Sequence, residues 1–174
     1  MASHLVHLVC GSTGAGKTSY ALRLCSQLNA VRFSIDEWMA RLFWMDSPQP
    51  IEAAWATERV IRCQDQIWSV ATQVAQRNVP CVLDLGFGQK AHRRKFYKLA
   101  TDAGLPLQLH VLDVPAEERW RRVVDRNREK DHQLSFAVTR EMFDFVESLW
   151  EPPDKEEIAA CNGVRGESSP IRPD

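Results

Sequence analysis

Eight residues near the start of the chain constrain it more than any others: Gly11-Ser12-Thr13-Gly14-Ala15-Gly16-Lys17-Thr18. They match the spacing G-x-x-x-x-G-K-[ST] in full. The glycines let the backbone curl so that consecutive N–H groups face one point, which suits an anion. The apolar run Leu5–Cys10 before the loop stops early at Gly11 and reads as a buried strand. After the loop, Ala21, Leu22, Leu24, Cys25 and Leu28 recur at helical spacing. A strand, a glycine loop and a helix in that order make an anion site whose positive helix end reinforces the loop amides. In such a site Lys17 reaches the β- and γ-phosphates of a nucleotide and the Thr18 hydroxyl ligates magnesium.

The rest of the chain continues the alternation. Short apolar runs at 31–35, 81–85 and 107–112 predict strands. Helical patterns fall at 52–77, 91–103, 115 to about 127 and about 138–150, and Asp36 sits where an N-cap would precede Trp38, Met39, Leu42 and Phe43. Pro115 fits the first position of its helix, with Glu117 and Glu118 in the first turn. Alternating strands and helices predict an α/β fold, a small parallel sheet of four to five strands with helices on both faces. Ligands of such sheets bind beyond the carboxyl ends of the strands. At 174 residues one domain is expected, over residues 1–160, followed by a polar tail at 161–174 rich in Gly and Pro.

Composition removes several classes of function. Lys+Arg is 22 against 23 Asp+Glu, a net charge of −1, which is unlike a polybasic nucleic-acid coat or an acidic disordered tail. The sum hides a segregation: residues 119–130 hold six Arg/Lys against two acids, and residues 141–157 hold seven acids against Lys155. No run of 18 apolar residues predicts a membrane span, and the opening MASHLVHLVC lacks the charge and cleavage pattern of a secretory leader. The five cysteines form no CxxC pair, so reduced thiols and a cytoplasmic setting are expected.

Other candidate site residues stand at the remaining strand ends. Asp84 closes the run CVLD, where a carboxylate can hold Mg²⁺ or its water, or can cap the turn at Gly86 and Gly88. Asp36 follows the second strand and reads either as a plain N-cap or as a base that orients an acceptor hydroxyl. Arg119, Arg122 and Arg126 recur at i, i+3 and i+7 after the fourth strand. They can clamp phosphoryl oxygens, or form a solvated face with pairs such as Glu118–Arg122. Lys90, Arg93, Arg94, Lys95 and Lys98 make either an exposed helix face or a track for an anionic acceptor or nucleic acid. Trp38 either packs on the sheet or lines an acceptor pocket.

GSTGAGKT, FSIDEW, VLDLGF, LDVPAEERWRRVVDRNRE and FDFVESLWEPPDKEE together resemble the AAA-type P-loop kinases of bacteria, which are similar to chloramphenicol phosphotransferase, zeta toxins and the kinase domain of polynucleotide kinase. The resemblance spans residues 5–157. It implies a three-layer P-loop NTPase/kinase fold with an arginine-bearing lid, ATP and Mg²⁺ as cofactors, and transfer of the γ-phosphate to a hydroxyl. It further implies Asp36 as general base, Arg122 and Arg126 as lid arginines, with Arg128 a weaker match. The acceptor expected is a small molecule, ahead of a nucleic-acid 5′ end. An ATPase or nucleotide switch with no acceptor is the rival.

Overall fold

A computed structural model describes residues 5–128 and 138–167 of the chain. Five parallel strands form one sheet in the order β2-β3-β1-β4-β5. The central strand is β1 (Val6–Cys10), all five residues of which are buried. Val6, Leu8 and Cys10 join one apolar cluster and Val9 joins another, as the two-residue period of a strand covered on both faces requires. Against the first face pack α3 (Ala53–Ala75), through Cys63, Ile67, Ala71 and Ala75, and α4 (Lys90–Asp102), through Phe96. Against the second packs α1 (Lys17–Leu28), through Ala21 and Leu24. That second face also holds a polar chain: His7 Nδ1 lies 3.0 Å from His110 Nε2, and His110 Nδ1 lies 2.8 Å from the Tyr20 hydroxyl.

β1 pairs with β3 (Cys81–Asp84) on one side, Val6 opposite Cys81, and with β4 (Leu107–Val111) on the other, Val6 opposite Leu107. β2 (Val31–Ser34) lies outside β3, with Ser34 opposite Asp84. The chain thus leaves β1 toward one edge and later returns past it to the other. The strand order reverses beside β1, the kind of switch point at which open α/β sheets bind ligands. The carboxyl ends of β1, β2 and β3 and the loops after them open on that one side.

The remaining helices are α2 (Ile35–Phe43), α5 (Ala116–Arg128), α6 (Arg140–Ser148) and α7 (Lys155–Ala160). Besides a 3₁₀ turn at Trp44–Asp46, two elements lie outside the periodic reading. α7 is six residues long and follows Pro152 and Pro153, with Asp154 capping it by accepting from the Glu157 amide at 2.8 Å. β5 (Val164–Arg165) is two residues long and pairs with His110 and Val111 inside the stretch expected to be tail. Residues 129–137, of which 129 and 130 close the basic segment 119–130, and 168–174 lie outside the described residues.

Candidate functional site

The loop between β1 and α1 is shaped by two glycines in the left-handed region. Gly14 has φ +80°, and a Cβ there would sit 2.5 Å from the Arg119 carbonyl oxygen. Gly16, at φ 84°, is the N-cap of α1 and supplies no side chain to cap the helix. The first-turn amides of α1 are left for an outside partner, while the Ala15 amide donates to the Ser12 carbonyl at 3.2 Å and closes the turn. Lys17 folds back over the loop and donates to the carbonyls of Gly11 at 2.9 Å and Ser12 at 3.1 Å. Burial pushes its pKa down, while the nearby Asp84 and Asp36 carboxylates pull it up. Thr18 is exposed at the second position of α1.

Asp36 and Asp84 converge on Lys17 from neighbouring strand ends. The cap of α2 is Ser34, whose hydroxyl accepts from the Glu37 amide at 3.4 Å. Asp36 is therefore not the N-cap expected from the sequence. β2 ends one residue earlier than its apolar run suggests, and Asp36 stands in the first helical turn. Its carboxyl is open to solvent on one side and crowded by protein on the others. That crowding and then the Asp84 charge push its pKa up, while Lys17, Arg32 and Arg126 pull it down. Asp84 is buried, and one of its oxygens accepts from Arg32 at 3.1 Å, whose guanidinium also holds Glu37 at 2.6 Å. Thr18 and Asp84 together offer one hydroxyl and one carboxylate, a hard donor set that fits Mg²⁺, which takes one or two protein oxygens and completes its shell with water and phosphate. Among the described residues no cluster of three or more His, Cys, Asp or Glu offers an all-protein metal cage.

The arginines of α5 divide. Arg126 is exposed, makes no ion pair among the described residues, and is near enough to Asp36 for its charge to act there. Arg122 pairs with Glu118 one turn back, the helix-face contact that the i, i+4 spacing allowed. Arg119 does not share their outward face. It is 4% exposed and donates to the carbonyls of Val114 at 2.8 Å and Thr13 at 3.2 Å. It also pairs with Glu147 of α6 at 2.7 Å, and Glu147 accepts from the Ser12 hydroxyl at 2.8 Å. Arg32 and Glu147 are thus brought to the strand-end carboxylate and the loop without any local motif to announce them, and Arg119, expected to share a face with Arg122 and Arg126, turns to the loop instead.

The basic run after Asp84 is mostly neutralised. Lys90 pairs with Asp154, Lys95 with Asp65 and Lys98 with Asp102. Arg93 is fully buried against Glu157 at 2.6 Å. Arg94 alone of the five has no carboxylate partner among the described residues. The acids of 141–157 are the counterweight: Glu147, Asp154 and Glu157 dock on Arg119, Lys90 and Arg93. Trp38 packs against the core and also lines an open cleft of about 590 Å³ with Glu37, Arg41 and Leu42. Asp36 is not in that lining. Trp38 and Arg41 are turned about 200° and 140° from it around the helix axis, at 100° per residue.

The profile of the AAA domain matches residues 6–149 of the chain. Kti12 of Chaetomium thermophilum, solved in complex with ADP-AlF3, superposes with a TM-score of 0.68 at 18% identity, over 92% of this chain and 87% of that one. A gluconokinase from Sinorhizobium meliloti 1021 gives 0.64 at 14% identity, over 92% and 80%. A chain of the Pnkp1/Rnl/Hen1 RNA repair complex gives 0.65 at 16% identity, over 86% of this chain and 45% of that one. At these identities the likenesses show the fold, an α/β sheet of P-loop type. Among curated proteins none matches the chain by sequence. No helix among the described residues is long and apolar enough to cross a membrane.

Proposed function

The chain belongs to the AAA-domain family, and from that premise we propose that it is an ATP-dependent kinase that moves the γ-phosphate of ATP to the hydroxyl of a small molecule. The carrying observation is the gathering of Lys17, Asp36 and Asp84 at the ends of β1, β2 and β3, with Arg126 of α5 within electrostatic reach of Asp36. Two carboxylates set around one lysine beside an anion-binding loop is more than nucleotide binding requires. One of them has a role in binding a metal; the other is left to act on an acceptor.

In this reading Gly11, Ser12, Thr13, Gly14, Ala15 and Gly16 present their amides to the β- and γ-phosphates. Lys17 leaves the Gly11 and Ser12 carbonyls and bonds the same oxygens. Thr18 and Asp84 would hold Mg²⁺, which when bound would supply positive charge beside the phosphates. Arg32 holds the far oxygen of Asp84 and fixes the carboxylate's direction. Asp36 accepts the proton of the acceptor hydroxyl as its oxygen approaches the γ-phosphorus. A pKa above the usual aspartate range makes it a better proton acceptor than an ordinary surface carboxylate. Arg126 and Arg122 place guanidinium groups over the transferred phosphoryl, Arg122 by exchanging Glu118 for it.

The neutralised face of α4 favours a small acceptor over a nucleic-acid end, because a phosphate track needs unpaired cations. The experiment is a screen of γ-phosphate transfer from labelled ATP across simple alcohols, sugars, aminoglycosides, nucleosides, nucleotide-sugars, and DNA and RNA 5′ ends. Label on a small hydroxyl compound is the expected result. Label confined to nucleic-acid ends, or ATP hydrolysis that no acceptor changes, overturns it.

A further inference from the structure

Three consecutive residues of the phosphate loop rest on one ion pair that the sequence motif does not include. The Ser12 hydroxyl donates to Glu147 Oε2 at 2.8 Å. The Thr13 carbonyl accepts from Arg119 at 3.2 Å, and Gly14 packs so closely on the Arg119 backbone that a Cβ would lie 2.5 Å from its carbonyl oxygen. Arg119 is in turn held by Glu147 Oε1 at 2.7 Å and the Val114 carbonyl at 2.8 Å, with its guanidinium 5.4 Å from the centre of the Phe143 ring. Arg119 is buried. Glu147 is ionised, because the Arg119 bond, against the opposing effect of burial, holds its pKa below the usual glutamate range.

A carboxylate beside an anion-binding loop opposes what the loop binds, so attraction of phosphate does not explain it. We propose that Glu147 is a positioning residue for the phosphate loop, acting through Ser12 and Arg119. One oxygen fixes the Ser12 side chain, and the other fixes the guanidinium that holds the Thr13 carbonyl. With Ser12, Thr13 and Gly14 held in this way, the loop is ordered before nucleotide arrives, and binding need not order it. The pair also cancels its own charges, so the loop keeps the net positive field of its amides and Lys17. The inference rests on the reading that this loop binds nucleotide.

The test compares Glu147→Gln, Glu147→Asp, Ser12→Ala and the double variant Ser12→Ala/Glu147→Gln in the full chain. ADP affinity is read by calorimetry and folding by the melting temperature without ligand. The expected result is an ADP Kd about tenfold weaker in Glu147→Gln, which is about 1.4 kcal/mol, while its melting temperature, lowered because Arg119 loses its counter-charge, stays well above the temperature of the titration. Glu147→Asp recovers part of the affinity, and the effects of Ser12→Ala and Glu147→Gln on Kd are not additive. An unchanged Kd in Glu147→Gln, or losses of Kd that only follow losses of melting temperature, overturns the proposal. Failure of the wild-type chain to bind ADP would instead strike the nucleotide reading itself, which separates the two failures.

Discussion

Glu157 is the residue whose loss the fold should feel most. Arg93 donates to it through Nε at 2.6 Å and through a terminal nitrogen at 3.0 Å, and the Tyr97 hydroxyl donates to it at 2.8 Å. The Arg93 side chain is 0% exposed and that of Glu157 is 6%. The other arm of Arg93 donates to the Phe87 carbonyl at 3.0 Å, which ties α7 to the loop just beyond Asp84. Glu157→Leu leaves a permanent charge buried with a single carbonyl for a partner. Breaking a buried pair in this way costs about 3–5 kcal/mol. Native domains have about 5–15 kcal/mol in all, so the variant is marginal, and its Tm falls by about 6–20 °C for a chain of this size. Urea unfolding followed by circular dichroism measures the loss. The double variant Arg93→Met/Glu157→Leu removes both charges and should recover much of it, leaving the Phe87 carbonyl and Tyr97 hydroxyl to find water. Burial raises the pKa of Glu157, but the bonds from Arg93 and Tyr97 outweigh it and hold the value below the usual range. Its contribution is therefore full above the unfolded pKa near 4.3 and is lost as pH falls through the lower native value. Glu157→Leu should lack that acid limb. A loss below about 1 kcal/mol in the single variant, or a double variant no better than the single, refutes the argument.

Other outcomes follow from the site. Gly14→Ala forces a Cβ into the Arg119 carbonyl at a positive φ; it should cost about 1–3 kcal/mol of stability and abolish ADP binding measured by calorimetry. Lys17→Ala should retain its melting temperature yet lose ADP binding, checked by the same titration. The pH profile of kcat/KM for phosphoryl transfer should fall on the acid side, since Asp36 acts only when ionised, and its apparent pKa should lie above the ordinary aspartate value of about 3.9.

The first third of this architecture is legible in the chain because each signal is local. The glycine spacing fixes the loop, and the apolar period of Ala21, Leu22, Leu24, Cys25 and Leu28 places α1, observed at 17–28. β3 and β4 are buried apolar runs stopped by turn residues and are found to within a residue or so at each end. β5 escapes because two residues have no period, and α7 because six residues behind two prolines read as a stop. Ser34 escapes as the cap of α2 because it sits inside an apolar run. At the site, Asp36 and Asp84 are legible as strand-end carboxylates. Arg119 is misplaced by helical spacing alone, since i, i+3 and i+7 group it with Arg122 and Arg126, whereas its contacts lie with Thr13 and Glu147, 106 and 28 residues away. No periodic pattern records a pairing at such separations.

The central claim is that Asp36 works on an acceptor and not on the nucleotide, and Asp36→Asn tests it most directly. Asparagine keeps the size and a hydrogen-bonding oxygen but cannot take the proton. With the hydroxyl acceptor found by the transfer screen, ADP affinity and γ-phosphate transfer are measured side by side in both proteins. The account predicts ADP affinity within about threefold of wild type and transfer slowed by at least about 100-fold, the lower range for loss of a general base. Transfer at near wild-type rate in Asp36→Asn would contradict it.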